Sequence, residues 1–236
     1  MIRFADDQET DGVFDLLSSV DSIFKEGGSL EKVLEFEYRP EQHEMANAMV
    51  RSLSDNRHLL FEAGTGVGKS LAYLIPSVLF AMTTKRPCVV ATNTISLQEQ
   101  LLNKDIPSVR TLFETVPELY DFQGFRCALL VGRANYLCTN RLHRALNGQG
   151  ELFEGKQRRE LERIAKWASS KAVEGIRQEL SPLPMGAVWD AVSADSSLCS
   201  SKKCKPESCF YRRARSEVEE SNLVIVNHSL LFSLMG

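Results

Sequence analysis

A glycine-rich stretch carries the clearest chemistry in this sequence. Residues 63–70 read Ala-Gly-Thr-Gly-Val-Gly-Lys-Ser, after a mostly apolar run at 58–61. Glycines allow a tight turn whose backbone N–H groups point inward at phosphate oxygens. The Lys69 ammonium would reach the β- and γ-phosphates, and the Ser70 hydroxyl would ligate Mg²⁺. Except for alanine at the first glycine position, this is the phosphate-loop pattern. ATP and Mg²⁺ are predicted to bind Ala63, Gly64, Thr65, Gly66, Val67, Gly68, Lys69 and Ser70.

Four cysteines in the second half of the chain form a second candidate site. They are separated by sixty, four and four residues, and they are Cys138, Cys199, Cys204 and Cys209. Thiolates clustered in a reducing compartment are ligands for zinc or for an iron–sulfur cluster. Neighbouring Lys202, Lys203 and Lys205 favour the thiolate form. The spacing fits a zinc hairpin poorly, but it leaves a cluster, zinc and no metal all open.

Polar residues elsewhere are weaker candidates. Gln42 begins a helix about twenty residues before the loop, and its amide can donate to and accept from adenine. By spacing alone it is equally an ordinary exposed helix residue. Thr92, Asn93 and Thr94 follow an apolar strand, and the carboxyl end of a parallel strand lies on the ligand-binding edge of a sheet.

The elements around these residues alternate between strand and helix. Strands are predicted to end at Glu62 and to cover 88–92, 127–131 and 223–226, with helices over 69–84 and 93–102. Cys88 and Cys127 lie inside strand runs and are predicted to be packing residues. The fold class is α/β, with an open parallel sheet. About ninety residues before the last strand do not alternate, so we predict an inserted, mainly helical module at 132–221. The sheet domain would be 38–131 with 222–236, after an acidic helical extension at 1–37.

Composition limits the function classes. The net charge of −3 and the pI of about 5.9 argue against a generally basic nucleic-acid binder. The first ten residues resemble no signal peptide and no apolar run approaches a membrane span, so we expect a cytoplasmic protein without a disulfide framework. Basic residues are local, and such runs are often solvated faces rather than binding sites. They are Lys156, Arg158, Arg159, Lys202, Lys203, Lys205, Arg212, Arg213 and Arg215.

Six motifs together resemble the first motor domain of DinG-type helicases, relatives of XPD in superfamily 2. They are YRPEQ, AGTGVGKS, ATNTISLQEQL, GRANYLC, the C-x₄-C-x₄-C-F-Y run and NLVIVNHSLLF. The resemblance runs from about residue 27 to the end. It implies a RecA-like phosphate-loop domain and a 4Fe–4S cluster on the four cysteines. It also implies ATP-driven unwinding of DNA with 5′ to 3′ movement.

The resemblance also assigns residues. Arg39 and Gln42 would contact adenine, Lys69 and Ser70 would serve phosphate transfer, and a segment from Thr92 to Gln100 would contact DNA. The DNA candidates are Thr92, Asn93, Thr94, Gln98, Arg133, Lys202 and Lys203. Arg133, with Asn135 and Tyr136, lies beside a ligand cysteine and is equally placed to shape the cluster pocket. Single strands and single/double-strand junctions are the implied DNA partners.

One departure from the family matters for activity. The strand bearing Asp-Glu-Ala-His that follows NHSLLF in the family has no counterpart before Gly236, nor does the second motor domain with its arginine finger. Phosphoryl transfer needs a metal-holding carboxylate and opposing positive charge. We therefore expect a fragment that binds nucleotide weakly and does not hydrolyse ATP alone, and too little chain before Tyr38 for an exonuclease domain. The alternative is a non-catalytic nucleotide- and nucleic-acid-binding module with a zinc or iron–sulfur site.

Overall fold

A computed structural model describes residues 15–148, 153–170, 173–199 and 208–235. These residues form two compact units. The first contains 15–129 and 221–235, and the second lies within 130–220. Among the helices in the described ranges, none has both the length and the apolar character needed to cross a membrane.

Helices in the first unit pack around an apolar core. α1 (Leu16–Phe24) begins where the Asp15 carboxylate accepts a hydrogen bond from Ser18 N, and it buries Val20, Ile23 and Phe24. α2 (Ser29–Leu34) follows a turn that contains Gly27 and Gly28. α3 (Pro40–Ser54) starts with proline in its first turn, where no N–H is needed. α4 (Lys69–Thr84) is buried along most of its length, as its apolar sequence predicts.

Three parallel strands form the sheet of this unit. They are β1 (Cys88–Thr92), β2 (Cys127–Leu129) and β3 (Leu223–Asn227). β3 is the central strand, so the order is β1-β3-β2. In the register, Leu223 lies between Cys88 and Cys127, and Thr92 lies beside Asn227 at the carboxyl edge. The prediction of a mixed helix and strand fold with a parallel sheet is confirmed, and the sheet has three strands among the described residues.

Residues 58–62 do not form the predicted strand. They are extended but pair with no strand in the described part of the chain, and the side chain of Leu60 is 98% exposed. A strand needs a neighbour that supplies both hydrogen bonds and side-chain contacts. Because β1, β3 and β2 pair only with one another, residues 58–62 lack that neighbour, and the prediction of a strand ending at Glu62 is wrong.

The helix after β1 is longer than predicted. α5 (Ile95–Gln100) continues through a wide, π-type turn (Leu101–Asp105) into α6 (Ile106–Thr115). Pro107 lacks the N–H that would bond to the preceding turn, which gives a physical reason for the wide turn at this place. A short 3₁₀ turn (Pro117–Phe122) then leads to β2. α11 (His228–Met235) follows β3 directly.

The second unit is mainly helical. Its helices are α7 (Thr139–Leu146), α8 (Gly155–Ala168), α9 (Gly186–Val192) and α10 (Phe210–Glu219). Trp189 and Tyr136 are its largest buried side chains. The Trp189 indole N–H donates to the Ala134 carbonyl at 2.8 Å, which joins α9 to the segment before Cys138.

Candidate nucleotide-binding site and cysteine module

The glycine-rich loop joins the extended residues 57–64 to the first turn of α4. Gly66 and Gly68 adopt φ angles of 83° and 80°, in the left-handed region that glycine occupies without strain. A Cβ on Gly68 would meet the side-chain amide of Gln42, with the Cδ atom 3.0 Å away. A Cβ on Gly66 would meet nothing within 4 Å. Gly68 is therefore required both by its backbone angle and by its neighbour.

The start of α3 braces this loop. Gln42 Nε2 donates to the Gly68 carbonyl at 2.8 Å, and Gln42 is only 5% exposed. The Arg39 guanidinium donates to the Gly66 carbonyl. Arg39 and Gln42, which were predicted to contact adenine, therefore lie against the predicted phosphate loop. The packing of α3 on α4 brings them to this loop. Gln42 is not the exposed helix residue that its spacing alone allows.

The Lys69 ammonium lies inside the loop. Its Nζ atom donates to the Ala63 carbonyl at 3.1 Å and to the Gly64 carbonyl. The amine is thus folded back onto the carbonyls at the start of the loop. This arrangement places a positive charge next to the N-terminus of α4, where a phosphate group is favoured.

Tyr73 lies one turn along α4 from Ser70 and is a neighbour that sequence reasoning missed. Burial is the main reason that the pKa of Tyr73 is raised above its usual value, and the negative charge of Asp105 raises it further. The signal for Tyr73 was its spacing, because residues three apart share a face of a helix. The position of Asp105, after a wide turn, has no such local signal.

Only part of the predicted DNA-contacting segment is presented to solvent. Asn93 and Thr94 are exposed, and the Thr94 hydroxyl accepts from Leu97 N at 3.3 Å to cap α5. Thr92 is 9% exposed, and its hydroxyl donates to the Thr94 carbonyl at 3.0 Å. Gln98 is fully buried, with both amide atoms lacking a partner among the described residues. A direct contact between Gln98 and DNA therefore does not fit its position.

In the second unit, two of the four cysteines lie immediately before helices whose starts are joined by a hydrogen bond. Cys138 precedes α7 and Cys209 precedes α10. The Thr139 hydroxyl donates to the Ser208 carbonyl at 2.8 Å, which joins these two helix starts. The Cys138 N–H also donates to the Val192 carbonyl at 2.8 Å.

Arg133 connects the third cysteine to the same region. Its guanidinium lies over the Tyr211 ring at 4.6 Å from the ring centre. Although burial opposes it, the nearby Tyr211 and Cys199 side chains hold the pKa of Arg133 above its usual value. Tyr211 in turn packs edge-on against Tyr136, with 5.5 Å between ring centres. Arg133 is thus engaged with the cysteine module itself, which is the second of the two roles that its sequence position allowed.

The remaining predicted residues of this module lie outside the described ranges. They are Cys204, Lys202 and Lys203. Within the described ranges, no three histidine, cysteine or acidic side chains are grouped so as to hold a metal ion. The Thr139–Ser208 hydrogen bond therefore joins the segments that carry Cys138 and Cys209, and Arg133 lies near Cys199 in the same unit.

The two cysteines outside the module have a different environment. Cys88 and Cys127 pack against the core of the first unit, as predicted. Burial raises the pKa of Cys88 to about 11 and that of Cys127 to about 12. Neither thiol is therefore suited to metal binding or nucleophilic chemistry at neutral pH.

Curated proteins similar to this chain are helicases and related enzymes by name. The chain is 37% identical over 205 residues to the ATP-dependent helicase DinG of Mycobacterium tuberculosis, which covers 80% of the chain and 30% of that protein. It is 32% identical over 224 residues to the ATP-dependent DNA helicase YoaA of Haemophilus influenzae, and this match covers 94% of the chain and 33% of that protein. It is 28% identical over 201 residues to the protein named 3′-5′ exonuclease DinG in Bacillus subtilis, and this match covers 85% of the chain and 20% of that protein. No protein-family profile matches the chain.

The chain thus spans about a third or less of these relatives, while they match most of the chain.

Proposed function

Because this chain is a homologue of the DinG-type helicases, we propose that it forms the nucleotide-binding part of the first motor domain of an ATP-dependent DNA helicase. In this role, residues 63–70 hold the phosphates of ATP. Lys69 neutralises the β- and γ-phosphates, and the Ser70 hydroxyl ligates Mg²⁺. Arg39 and Gln42 contact adenine. The helicase acts on DNA in the cytoplasm.

The placement of the Lys69 ammonium supports this proposal most directly. Two loop carbonyls already hold it at the mouth of α4, where the helix dipole and loop N–H groups favour an anion. The brace from α3 supports the adenine assignment, because Arg39 and Gln42 bond to loop carbonyls two residues apart. A base bound beside them would lie within reach of the phosphate loop.

DNA contact is proposed for the exposed start of α5. Asn93 and Thr94 are the candidates there, with Thr92 fixing the turn, whereas the buried Gln98 is not proposed to touch DNA. Hydroxyl and amide groups suit phosphate contacts that position DNA without reading its sequence. Lys202 and Lys203 are proposed as further phosphate contacts, and Arg133 as a residue that supports them by ordering the cysteine module. The helicase is proposed to move 5′ to 3′ along single-stranded DNA and to act at junctions between single- and double-stranded DNA.

A 4Fe–4S cluster is proposed on Cys138, Cys199, Cys204 and Cys209. Four thiolates are the donor set that such clusters require. The Thr139–Ser208 bond and the Arg133 contacts fit this assignment, because they join the segments that carry three of the four cysteines. A bound cluster would cross-link these segments and supply a one-electron redox centre. Anaerobic purification should give about four irons per chain, and Cys204→Ser should lose them while Cys88→Ala keeps them. A single zinc would contradict the cluster and support a zinc module.

Nucleotide binding is tested by calorimetry on the 236-residue chain with ATP and Mg²⁺. Replacing Lys69 with alanine should weaken binding at least about tenfold, since charge-assisted hydrogen bonds are lost. Lys32→Ala, on the exposed face of α2, is the matched control and should bind normally. Equal affinity in wild type and Lys69→Ala would overturn the nucleotide site.

In the family, phosphoryl transfer also uses the Asp-Glu-Ala-His strand and the second motor domain. The 236-residue chain should bind ATP without DNA-stimulated hydrolysis, and substantial hydrolysis would contradict this. A chimera in which the chain replaces the matching segment of a DinG protein should unwind a duplex with a 5′ overhang but not one with a 3′ overhang. Lys69→Ala in the chimera is the inactive control. Unwinding from the 3′ overhang would contradict the proposed polarity.

A further inference from the structure

A carboxylate on α1 is hydrogen-bonded to two turns of α3. His43 Nε2 lies 2.8 Å from Asp21 Oδ1, and Asn47 Nδ2 donates to the same oxygen at 3.4 Å. An ionised carboxylate only accepts hydrogen bonds, so the imidazole N–H is the donor. His43 and Asn47 are four residues apart and therefore share the face of α3 that meets α1. One side chain from α1 thus holds both turns.

The His43 ring also contacts the residue at which the chain enters α3. The Tyr38 ring packs edge-on against it, with 6.1 Å between ring centres. Arg39 and Gln42 lie between these two aromatic residues in the sequence, and both bond to carbonyls of the glycine-rich loop. Successive residues of a helix point about 100° apart, so Gln42 meets the loop while His43 meets α1.

α1 is a firm support for this contact. Val20 and Ile23, on either side of Asp21, are 0% and 1% exposed in the core of the first unit. The side chain of His43 is 20% exposed, so without Asp21 its N–H would lose a partner that water replaces poorly. The Asp21 side chain is itself 49% exposed, so its removal opens no cavity in the core.

We propose that Asp21 is a positioning residue for the adenine site. Through His43 it fixes the first turn of α3, and that turn presents Arg39 and Gln42 to the base. Asp21 and His43 act here through their neighbours and not by contact with the nucleotide. The inference rests on the proposed nucleotide site. It gives α1, which lies in the acidic segment before Tyr38, a part in base recognition.

The test compares two ligands by calorimetry on the 236-residue chain, ATP and inorganic tripolyphosphate, each with Mg²⁺. The ratio of the tripolyphosphate dissociation constant to the ATP dissociation constant reports how much the nucleoside adds to binding by the phosphates. Asp21→Ala should lower this ratio about three- to tenfold, the range expected for the loss of one hydrogen bond, and should leave the tripolyphosphate affinity unchanged. His43→Ala should lower the ratio by a similar factor.

Matched variants separate positioning from general damage. Asp21→Asn keeps an oxygen that accepts from His43 and should retain most of the wild-type ratio. Glu44→Ala removes an exposed carboxylate on the same turn of α3 and should keep the ratio in full. Asp21→Ala should have little further effect in a His43→Ala background. Circular dichroism checks folding, and if Asp21→Ala is unfolded, His43→Ala decides the question.

Three results would overturn the inference and leave the nucleotide site in place. They are an unchanged ratio in the folded alanine variant, including one in which both affinities fall together; an equal loss in Asp21→Asn and Asp21→Ala; and a further loss from Asp21→Ala once His43 is alanine. A ratio of one in the wild-type chain would instead overturn the adenine assignment, and the inference with it. A wild-type chain that binds neither ligand would overturn the nucleotide site itself.

Discussion

Replacing Gly68 with alanine tests whether α3 braces the glycine-rich loop. At a φ of 80° a Cβ costs about 1–2 kcal/mol by its contact with the backbone. The same Cβ would also displace the Gln42 amide, whose hydrogen bond to the Gly68 carbonyl is partly buried, and losing it costs about 1–2 kcal/mol more. The expected loss of local stability is therefore about 2–4 kcal/mol.

Gly66→Ala is the matched control. Its φ is 83°, but nothing lies within 4 Å of the added Cβ, so only the backbone cost of about 1–2 kcal/mol applies. In a Gln42→Ala background, the difference between the two glycine variants should disappear. This cycle isolates the contact between Gln42 and the loop.

Hydrogen exchange of the first turns of α4 is the suitable assay, since it reports local opening free energy. Tryptophan fluorescence would not serve, because Trp167 and Trp189 both belong to the second unit. Equal losses in Gly68→Ala and Gly66→Ala, or a difference that persists without Gln42, would refute the reasoning.

Three further predictions concern other parts of the fold. The hydrogen bond between His43 and the Asp21 carboxylate, at 2.8 Å, is the main cause of the lowered pKa of Asp21. The stabilisation from this bond is therefore present above the usual carboxyl pKa and is lost as pH falls through the lowered pKa. His43→Ala should flatten the dependence of the urea midpoint on pH between 6 and 3, and an unchanged slope would contradict this prediction. Cys88 and Cys127 should resist iodoacetamide at pH 8 until urea is added, since burial keeps both thiols protonated; labelling of the native protein at either would refute this. Trp189→Ala should destabilise the second unit by about 3–5 kcal/mol, followed by fluorescence of the remaining tryptophan, whereas a loss below about 1 kcal/mol would contradict the burial of this side chain.

Local patterns predicted much of this fold. The helix 69–84 matches α4 at both ends, and the strand 88–92 matches β1, because glycine, proline and apolar periodicity mark such boundaries in the sequence itself. The glycine-rich loop was equally readable, since its residue types and order are set by phosphate chemistry.

The features that the sequence did not reveal depend on distant residues. Residues 58–62 have the composition of a strand, but pairing is decided by which other strands are adjacent. Gln42 is buried because the loop carbonyl of Gly68 lies beside it, and Gln98 because α5 packs inward. The burial of Gln42 and of Gln98 cannot be predicted from the residues next to them in the sequence.

The central place of β3 has a consequence for the order of folding. Among the described residues, β1 and β2 make no ladder with each other, and each pairs only with residues 223–227. During synthesis, the whole of 130–220 therefore leaves the ribosome before the sheet of the first unit can close. The closing contacts span more than ninety residues of sequence, and loops of this length slow the search for the native pairing. Until then, two apolar strand segments stay without a partner and are open to aggregation.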